Sequence, residues 1–378
     1  MKSLKFLLLL LIALPILFSC ESTTETDTCA TPTFSSPSGT YTSALEVTIA
    51  SETSDAVIKY TVDGTAPDTS ATALTYSGAI AVTSNLTIKA VAVKTGWNDS
   101  QIATATYMVY KDMVELPAGT FTMGRTVGTS TYTDELPVHS VTLTRDFYIG
   151  KYEVTQADWK AVMGATDNPS EFIGDNRPVE MVSWYHTLVY CNKRSMAEGL
   201  TPVYTINNST NPDNWGTMPT SSTAANVNAW NNVSADLDAN GYRLPTEAEW
   251  EFAARGGVTN PDYIYAGSDT ASQVAWYNGS ATNNVGGLDP NGKGIFDMSG
   301  NVAEWVWDWY LNNYYNTSPG IDPLGPNTGT FRVHRGGSWF HDAVQVRVAY
   351  RDWGTPYDSE TAKIKRSRLG FRVVRTAE

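Results

Sequence analysis

Tyr242-Arg243-Leu244-Pro245-Thr246-Glu247-Ala248-Glu249-Trp250-Glu251 is the stretch on which the reading of this 378-residue chain turns. Thr246 with Glu249 three residues later forms a capping box, in which hydroxyl and carboxylate satisfy the helix-start amides reciprocally. A helix is therefore expected from Thr246 to Arg255. Two more helix patterns precede it, Thr155 to Met163 and Ser183 to Glu198. The stretch is one of an ordered series. Upstream stand Val114 to Gly124, Phe147 to Gln156, and Arg177-Pro178-Val179-Glu180-Met181-Val182-Ser183-Trp184. Downstream stand Asp297-Met298-Ser299-Gly300-Asn301-Val302-Ala303-Glu304-Trp305 and Arg335-Gly336-Gly337-Ser338-Trp339. Arg347-Val348-Ala349-Tyr350-Arg351 and Leu369-Gly370-Phe371-Arg372 close the series. Few helices among so much irregular chain indicate an α+β domain with short strands.

Taken in order, these strings resemble the formylglycine-generating enzyme (sulfatase-modifying factor) family over about residues 112 to 376. The resemblance implies a variant of the C-type-lectin fold. It also implies two copper-binding cysteines shortly after the Gly-Gly-Ser-aromatic string. Here Trp339 is followed by Phe340-His341-Asp342-Ala343-Val344-Gln345-Val346-Arg347, and no cysteine follows Cys191. Cu(I) needs thiolates, so no copper is expected and the domain reads as non-catalytic. A non-haem iron branch of the family uses three histidines. Only His139, His186, His334 and His341 occur here, none in the spacing His-x-x-x-His-x-Glu. His186 reads as a packed or surface helix residue. Ser338 has no local partner in the sequence that would activate it.

Calcium is implied separately. Asp297, Gly300, Val302 and Glu304 stand where the family holds a structural calcium, and carboxylates with backbone carbonyls suit that ion. An equal reading is a turn whose acids pair with Arg347 or Arg351.

The chain start is a different kind of sequence. Lys2 and Lys5 precede an apolar run from Phe6 to Phe18, too short to span a bilayer and suited to a cleaved secretory signal over residues 1–19. Leu17-Phe18-Ser19-Cys20 resembles a bacterial lipobox, which implies lipid attachment at Cys20 and a protein held to the cell envelope at the outer membrane surface. The other reading is an ordinary signal peptide with a chance cysteine. Residues 20–30 are polar and read as a flexible tether that includes Cys29. Residues 31–108 read as a small β-sandwich. Leu45 to Ile49, Val57 to Val62 and Leu86 to Val93 alternate with period two, with turn signals between them. Ile58-Lys59-Tyr60-Thr61-Val62-Asp63-Gly64-Thr65-Ala66-Pro67 is similar to the C-terminal β-sandwich of chitobiases and hexosaminidases, which implies an accessory spacer. Residues 109–378 form the main domain.

Composition bounds the partners. The formal net charge is −13 with 17% charged residues, which argues against a nucleic-acid partner. Twelve Trp and twenty Tyr supply rigid contact area for a core or a recognition surface. Three cysteines outline no disulfide framework.

From Phe331 onward the balance reverses to ten Lys or Arg against five Asp or Glu. Arg347, Arg351 and Arg372 are expected in buried ion pairs, and Lys363, Lys365, Arg366 and Arg368 in an exposed loop. Between the family strings the residues look arbitrary. This layout resembles the variable region of diversity-generating retroelement target proteins, which share the fold and vary at adenines of asparagine-type codons. Phe, His, Asp, Val, Gly, Thr and Tyr are reachable from AAC by adenine changes alone; Gln345 and Trp353 need other template codons. The ligand-binding candidates are Phe340, His341, Asp342, Val344, Gln345, Asp352, Trp353, Gly354, Thr355, Tyr357 and Asp358. They would form an aromatic surface with an acidic fringe, suited to a protein or carbohydrate ligand. The alternatives are a fixed loop, half of it core; an enzyme on the same fold; and a structural envelope lipoprotein.

Overall fold

The computed structural model describes residues 26–41, 43–83, 85–109, 112–258, 261–357 and 367–377. The signal segment 1–19, Cys20, Asp358, Lys363, Lys365 and Arg366 lie outside the described residues. Among the described residues no helix is long and apolar enough to cross a membrane. The chain divides into two compact units. The first takes residues up to Ser38, Glu46–Ile80 and Leu86–Thr106; the second takes Gly39–Leu45, Ala81–Asn85 and Tyr107 to the end.

The first unit is built from strands. β1 (Thr33–Phe34) pairs antiparallel with β2 (Ile49–Ala50). β3 (Val57–Thr61) lies between β4 (Leu74–Thr75) and β5 (Leu86–Val93), antiparallel to both. Period-two alternation puts Ile88, Ala90 and Ala92 on one buried face of β5. The expected run from Leu45 to Ile49 is interrupted at Thr48, whose amide turns to Ser35 Oγ at 2.9 Å. The tether is shorter than expected. Cys29 is buried, its amide donates to Asn98 O at 2.9 Å, and the Ala30 amide donates to Thr53 Oγ1 at 2.8 Å. Main-chain hydrogen bonds to Asn98 and Thr53, together with burial of the Cys29 side chain, fold this polar segment in.

The second unit runs through β6 (Met113–Leu116), β7 (Gly119–Met123), β8 (His139–Leu143) and β9 (Phe147–Gly150), then helices α1 (Gln156–Met163), α2 (Trp184–Ala197) and α3 (Glu247–Ala254). β10 (Ala303–Trp309), β11 (Arg332–Arg335), β12 (Arg351–Gly354), β13 (Leu369–Gly370) and β14 (Val374–Thr376) follow. The order β6-β9-β14 brings the two ends of the domain into one antiparallel sheet. β7 and β8 form a hairpin. The order β12-β11-β10-β13 makes the sheet under the candidate surface, antiparallel except for the parallel pair β10–β13.

All three expected helices form, and each starts at a capping box: Thr155 with Asp158, Ser183 with His186, Thr246 with Glu249. His186 is the packed helix residue expected, with Nδ1 at 2.7 Å from Ser183 Oγ. Short helical turns at Val227–Asn231 and Ala271–Val274 carry no strong sequence pattern. Most of the tryptophans are core. Trp159, Trp184, Trp215, Trp230 and Trp305 belong to one buried cluster with Phe371, and Trp250 to a second with Phe147 and Phe252.

Candidate binding surface

The surface rests on buried arginines, each held by carboxylates. Arg351 on β12 donates to both oxygens of Glu247 on α3, at 2.6 and 2.9 Å. Arg347 donates to both oxygens of Glu135, at 3.0 and 2.5 Å. Arg335 on β11 reaches Glu251 at 2.5 Å, and its guanidinium also holds the carbonyls of Val348, Ala349 and Tyr350 at 2.9, 3.1 and 2.7 Å. All six side chains are at most 4% exposed. Guanidinium forks match carboxylates in two parallel bonds, so the Arg351 and Arg347 pairs fix direction as well as position, while Arg335 makes one bond to Glu251 and is oriented by its three carbonyls. The expectation of buried ion pairs at Arg347, Arg351 and Arg372 is met. Gly337 adds a close approach: at φ +66° a Cβ there would lie 2.3 Å from Gln345 O.

This frame fixes the backbone between Ser338 and Gly354 and leaves certain side chains outside it. Phe340, Val344 and Trp353 are 49%, 41% and 45% exposed. Asp342 is exposed and caps the turn Ala343–Val346, its Oδ1 accepting from the amides of Val344 and Gln345. Gln345, Asp352, Thr355 and Tyr357 are half-buried. Gln345 Nε2 donates to Tyr350 OH at 3.2 Å, and Thr355 Oγ1 donates to Tyr357 O at 3.3 Å.

Two candidates do not reach the surface. His341 is buried, Nδ1 accepting from the Ser338 amide at 3.0 Å and Nε2 lying 3.2 Å from Arg368. Burial, then the Arg368 charge, push its imidazole down to about 4. Gly354 is also buried; a Cβ there would meet the Trp305 ring at 2.7 Å. Ser338 does have a local partner, contrary to the sequence reading: His341 Nδ1 lies 3.2 Å from its Oγ. Both side chains are enclosed, so the contact braces a turn and offers no open nucleophile. Arg368 is half-buried against His341, not part of an exposed loop.

Residues that no local pattern marks complete the surface. Trp353 packs on Phe331 and Tyr310 with ring centroids 4.1 and 5.9 Å apart. Phe331 and Tyr310 meet because the Tyr310 amide donates to Phe331 O across the β10–β11 turn-off at 2.7 Å. Only long-range pairing shows this.

The residues implied for calcium are drawn together differently. Glu304 gives both oxygens to Arg372, at 2.7 Å each, and Oε2 also accepts from Trp250 Nε1 at 2.7 Å. Asp297, at φ +57°, accepts from the Gly286 amide at 2.7 Å; burial pushes its carboxyl up to about 6. Gly300 donates to Gly336 O at 2.8 Å, and Val302 donates to Glu153 Oε1 at 3.0 Å. Among the described residues no three His, Cys, Asp or Glu are gathered for a metal. A donor set whose Glu304 is committed to Arg372 and Trp250 does not fit the ion. The pairing is the second arrangement weighed from sequence, with Arg372 in the role expected of Arg347 or Arg351.

Comparison with known proteins gives the same placement. The sulfatase-modifying factor enzyme 1-like domain matches residues 99–377, and the chitobiase/beta-hexosaminidase C-terminal domain matches residues 36–104. The chain is 40% identical to the chaperone protein LppX of Paenibacillus barcinonensis, over 64% of this chain and 83% of that protein. It is 33% identical to the formylglycine-generating enzyme of Streptomyces coelicolor, over 71% and 90%. The solved structure of Treponema denticola variable protein 1 aligns with 35% identity and a TM-score of 0.60, covering 74% of this chain and 96% of that one.

Proposed function

Because the chain belongs to the sulfatase-modifying factor enzyme 1-like family, we propose that it uses the family fold for binding and not for oxidation. In this reading it is an envelope lipoprotein, anchored through Cys20 and displayed on the outer surface. It takes a protein or carbohydrate ligand on Phe340, Asp342, Val344, Gln345, Asp352, Trp353, Thr355 and Tyr357. His341 and Gly354 serve the frame beneath. Asp358 keeps its place among the candidates from sequence alone.

One observation carries the reading. Exposed Phe340, Val344 and Trp353 project from a backbone whose position is set by Arg335, Arg347 and Arg351 in enclosed ion pairs. Side chains on such a frame exchange without disturbing the core. That separation is what a diversified surface requires, and the likeness to a variable protein supports it. The oxidase alternative has no thiolate pair, since no cysteine follows Cys191.

The test is binding of protein and glycan panels to the wild type, Trp353→Ala and Tyr357→Ala. Binding that both substitutions leave intact places the site elsewhere. Conversion of a Cys-x-Pro-x-Arg peptide to formylglycine in the presence of copper restores the oxidase reading. Sequencing of codons 340 to 358 in many cells of one strain tests diversification: scatter at those codons is expected, and one invariant sequence rejects it.

A further inference from the structure

Trp353 differs from the other exposed apolar side chains of the surface in what lies beside it. Phe340 has ring contacts with its chain neighbours Trp339 and His341, at 5.7 and 6.3 Å, both edge on. Trp353 is packed instead by rings from the ends of two other strands. Phe331, one residue before β11, lies 4.1 Å from it at 44°, and Tyr310, one residue after β10, lies 5.9 Å from it at 35°. The three rings form a shelf across β10, β11 and β12. Both supporting rings are half-buried, while Trp353 stays 45% exposed.

The support is itself anchored in the frame. Tyr310 OH donates to Asp134 Oδ2 at 3.0 Å, and Asp134 is 7% exposed. Arg351, already paired with Glu247, donates to Asp134 O at 3.0 Å and stands 5.2 Å from the Tyr310 ring. The Tyr310 amide donates to Phe331 O at 2.7 Å, which ties the two supporting residues to each other. Their charged neighbours in the chain are engaged as well. Arg332 stacks on Trp184 and Trp309 at 3.6 and 3.5 Å, and Asp352 Oδ1 accepts from the Trp353 amide at 2.9 Å. What the shelf offers a ligand is thus the indole ring.

We propose that Trp353 is the constant contact of the binding surface, with Tyr310 and Phe331 as positioning residues that hold its ring ready. The inference rests on the binding reading and its diversification, and separates one fixed anchor from exchangeable neighbours. Preorganisation is the physical reason. A large ring already held in its bound orientation loses little conformational freedom on binding, and tryptophan is enriched among the residues that carry binding energy. A residue without a ring at 353 spares the core but leaves Phe331 and Tyr310 without their third ring. The codon gives an independent sign. Trp is encoded by TGG alone, which contains no adenine, so a template carrying TGG passes through adenine randomisation unchanged. Phe340, Asp342, Val344, Asp352, Thr355 and Tyr357 are all reachable from AAC. Ligand choice would then lie with these residues, and Trp353 would meet the ligand in every variant.

Two measurements test this on the full chain. The first is fluorine NMR of protein labelled with 5-fluorotryptophan, in which the Trp353 signal is identified by its loss in Trp353→Phe. One sharp signal is expected in the wild type. It should shift and broaden in Phe331→Ala and in Tyr310→Phe while the signal of Trp159, in the buried core, stays in place; a general loss of stability would not give that pattern. Tyr310→Phe keeps the ring and removes only the Asp134 bond, so the test stands if Phe331→Ala fails to fold. A Trp353 signal unchanged in the folded variants overturns the positioning role and leaves the binding reading standing. The second is sequencing of codons 340 to 357 in many cells of one strain. Scatter at codons 340, 342, 344, 352, 355 and 357 with codon 353 held at TGG is expected. Scatter that includes codon 353 overturns the constant anchor and leaves the diversified surface standing. One invariant sequence throughout overturns both.

Discussion

Arg351 on β12 and Glu247 at the start of α3, 104 residues apart in the chain, form a two-bond pair at 2.6 and 2.9 Å with both side chains enclosed. The pair fixes the strand that carries Trp353 to the helix whose capping box opened the sequence reading. Removing one partner of such a pair leaves an uncompensated buried charge, at a cost of about 3–5 kcal/mol. Arg351→Met and Glu247→Gln should each lower the unfolding free energy by that order, read from urea titration. The double variant should lose less than the sum of the two, because the stranded charge is then absent. Additive losses would mean that the pair does not act as a unit.

Gly354 and Phe340 stand among the same ligand candidates, and the frame separates them. Phe340→Ser is expected to shift stability by about 0.5 kcal/mol or less, as for exposed positions. Gly354→Ala pushes a methyl toward the Trp305 ring, 2.7 Å from the new Cβ, and should cost about 1–3 kcal/mol. Equal effects in denaturant titration would contradict the division between frame and surface.

His341 gives the domain an acid-sensitive point. Its imidazole is pushed down to about 4 from the ordinary 6.5 by burial and by Arg368, with Asp352, Asp342 and His334 also facing it. The unfolded chain therefore takes up the proton first as pH falls, and stability contributed by the neutral ring is lost between about 6.5 and 4. The difference in urea midpoint between wild type and His341→Gln isolates this group from other titrations. It should change through that window and be flat above pH 7. A difference that stays constant from pH 4 to 7 would mean that the ring titrates normally.

Calcium is expected to matter little. Glu304 is held by Arg372 and Trp250, so addition of calcium or of a chelator should leave the melting temperature in place. A rise on calcium addition that is lost in Asp297→Asn would show that the turn opens to receive the ion.

Much of the site was legible where the signal is local. Thr246, Ser183 and Thr155 mark helix starts because a capping box needs only neighbours three residues apart. Phe340, Val344 and Trp353 were legible as interruptions between family strings. His341 and Gly354 carry the same mark, yet Arg368, just before β13, encloses the first and Trp305 on β10 the second. Cys29 was misread for a related reason. Its burial depends on Asn98 and on the neighbouring Ala30–Thr53 bond, with no apolar pattern of its own.

The sequence by itself determined the family, the order of helices and the absence of a thiolate pair after Cys191, since all three depend on residue identity and short spacing. Tertiary structure decided which arginine meets which carboxylate: Glu304 chooses Arg372, and Glu247 takes Arg351. It also decided that the Phe172 ring meets Trp339, which in turn meets Phe340. Charge and ring partners are chosen by distance in the folded chain, and the pairing of β10, β11 and β12 sets that distance.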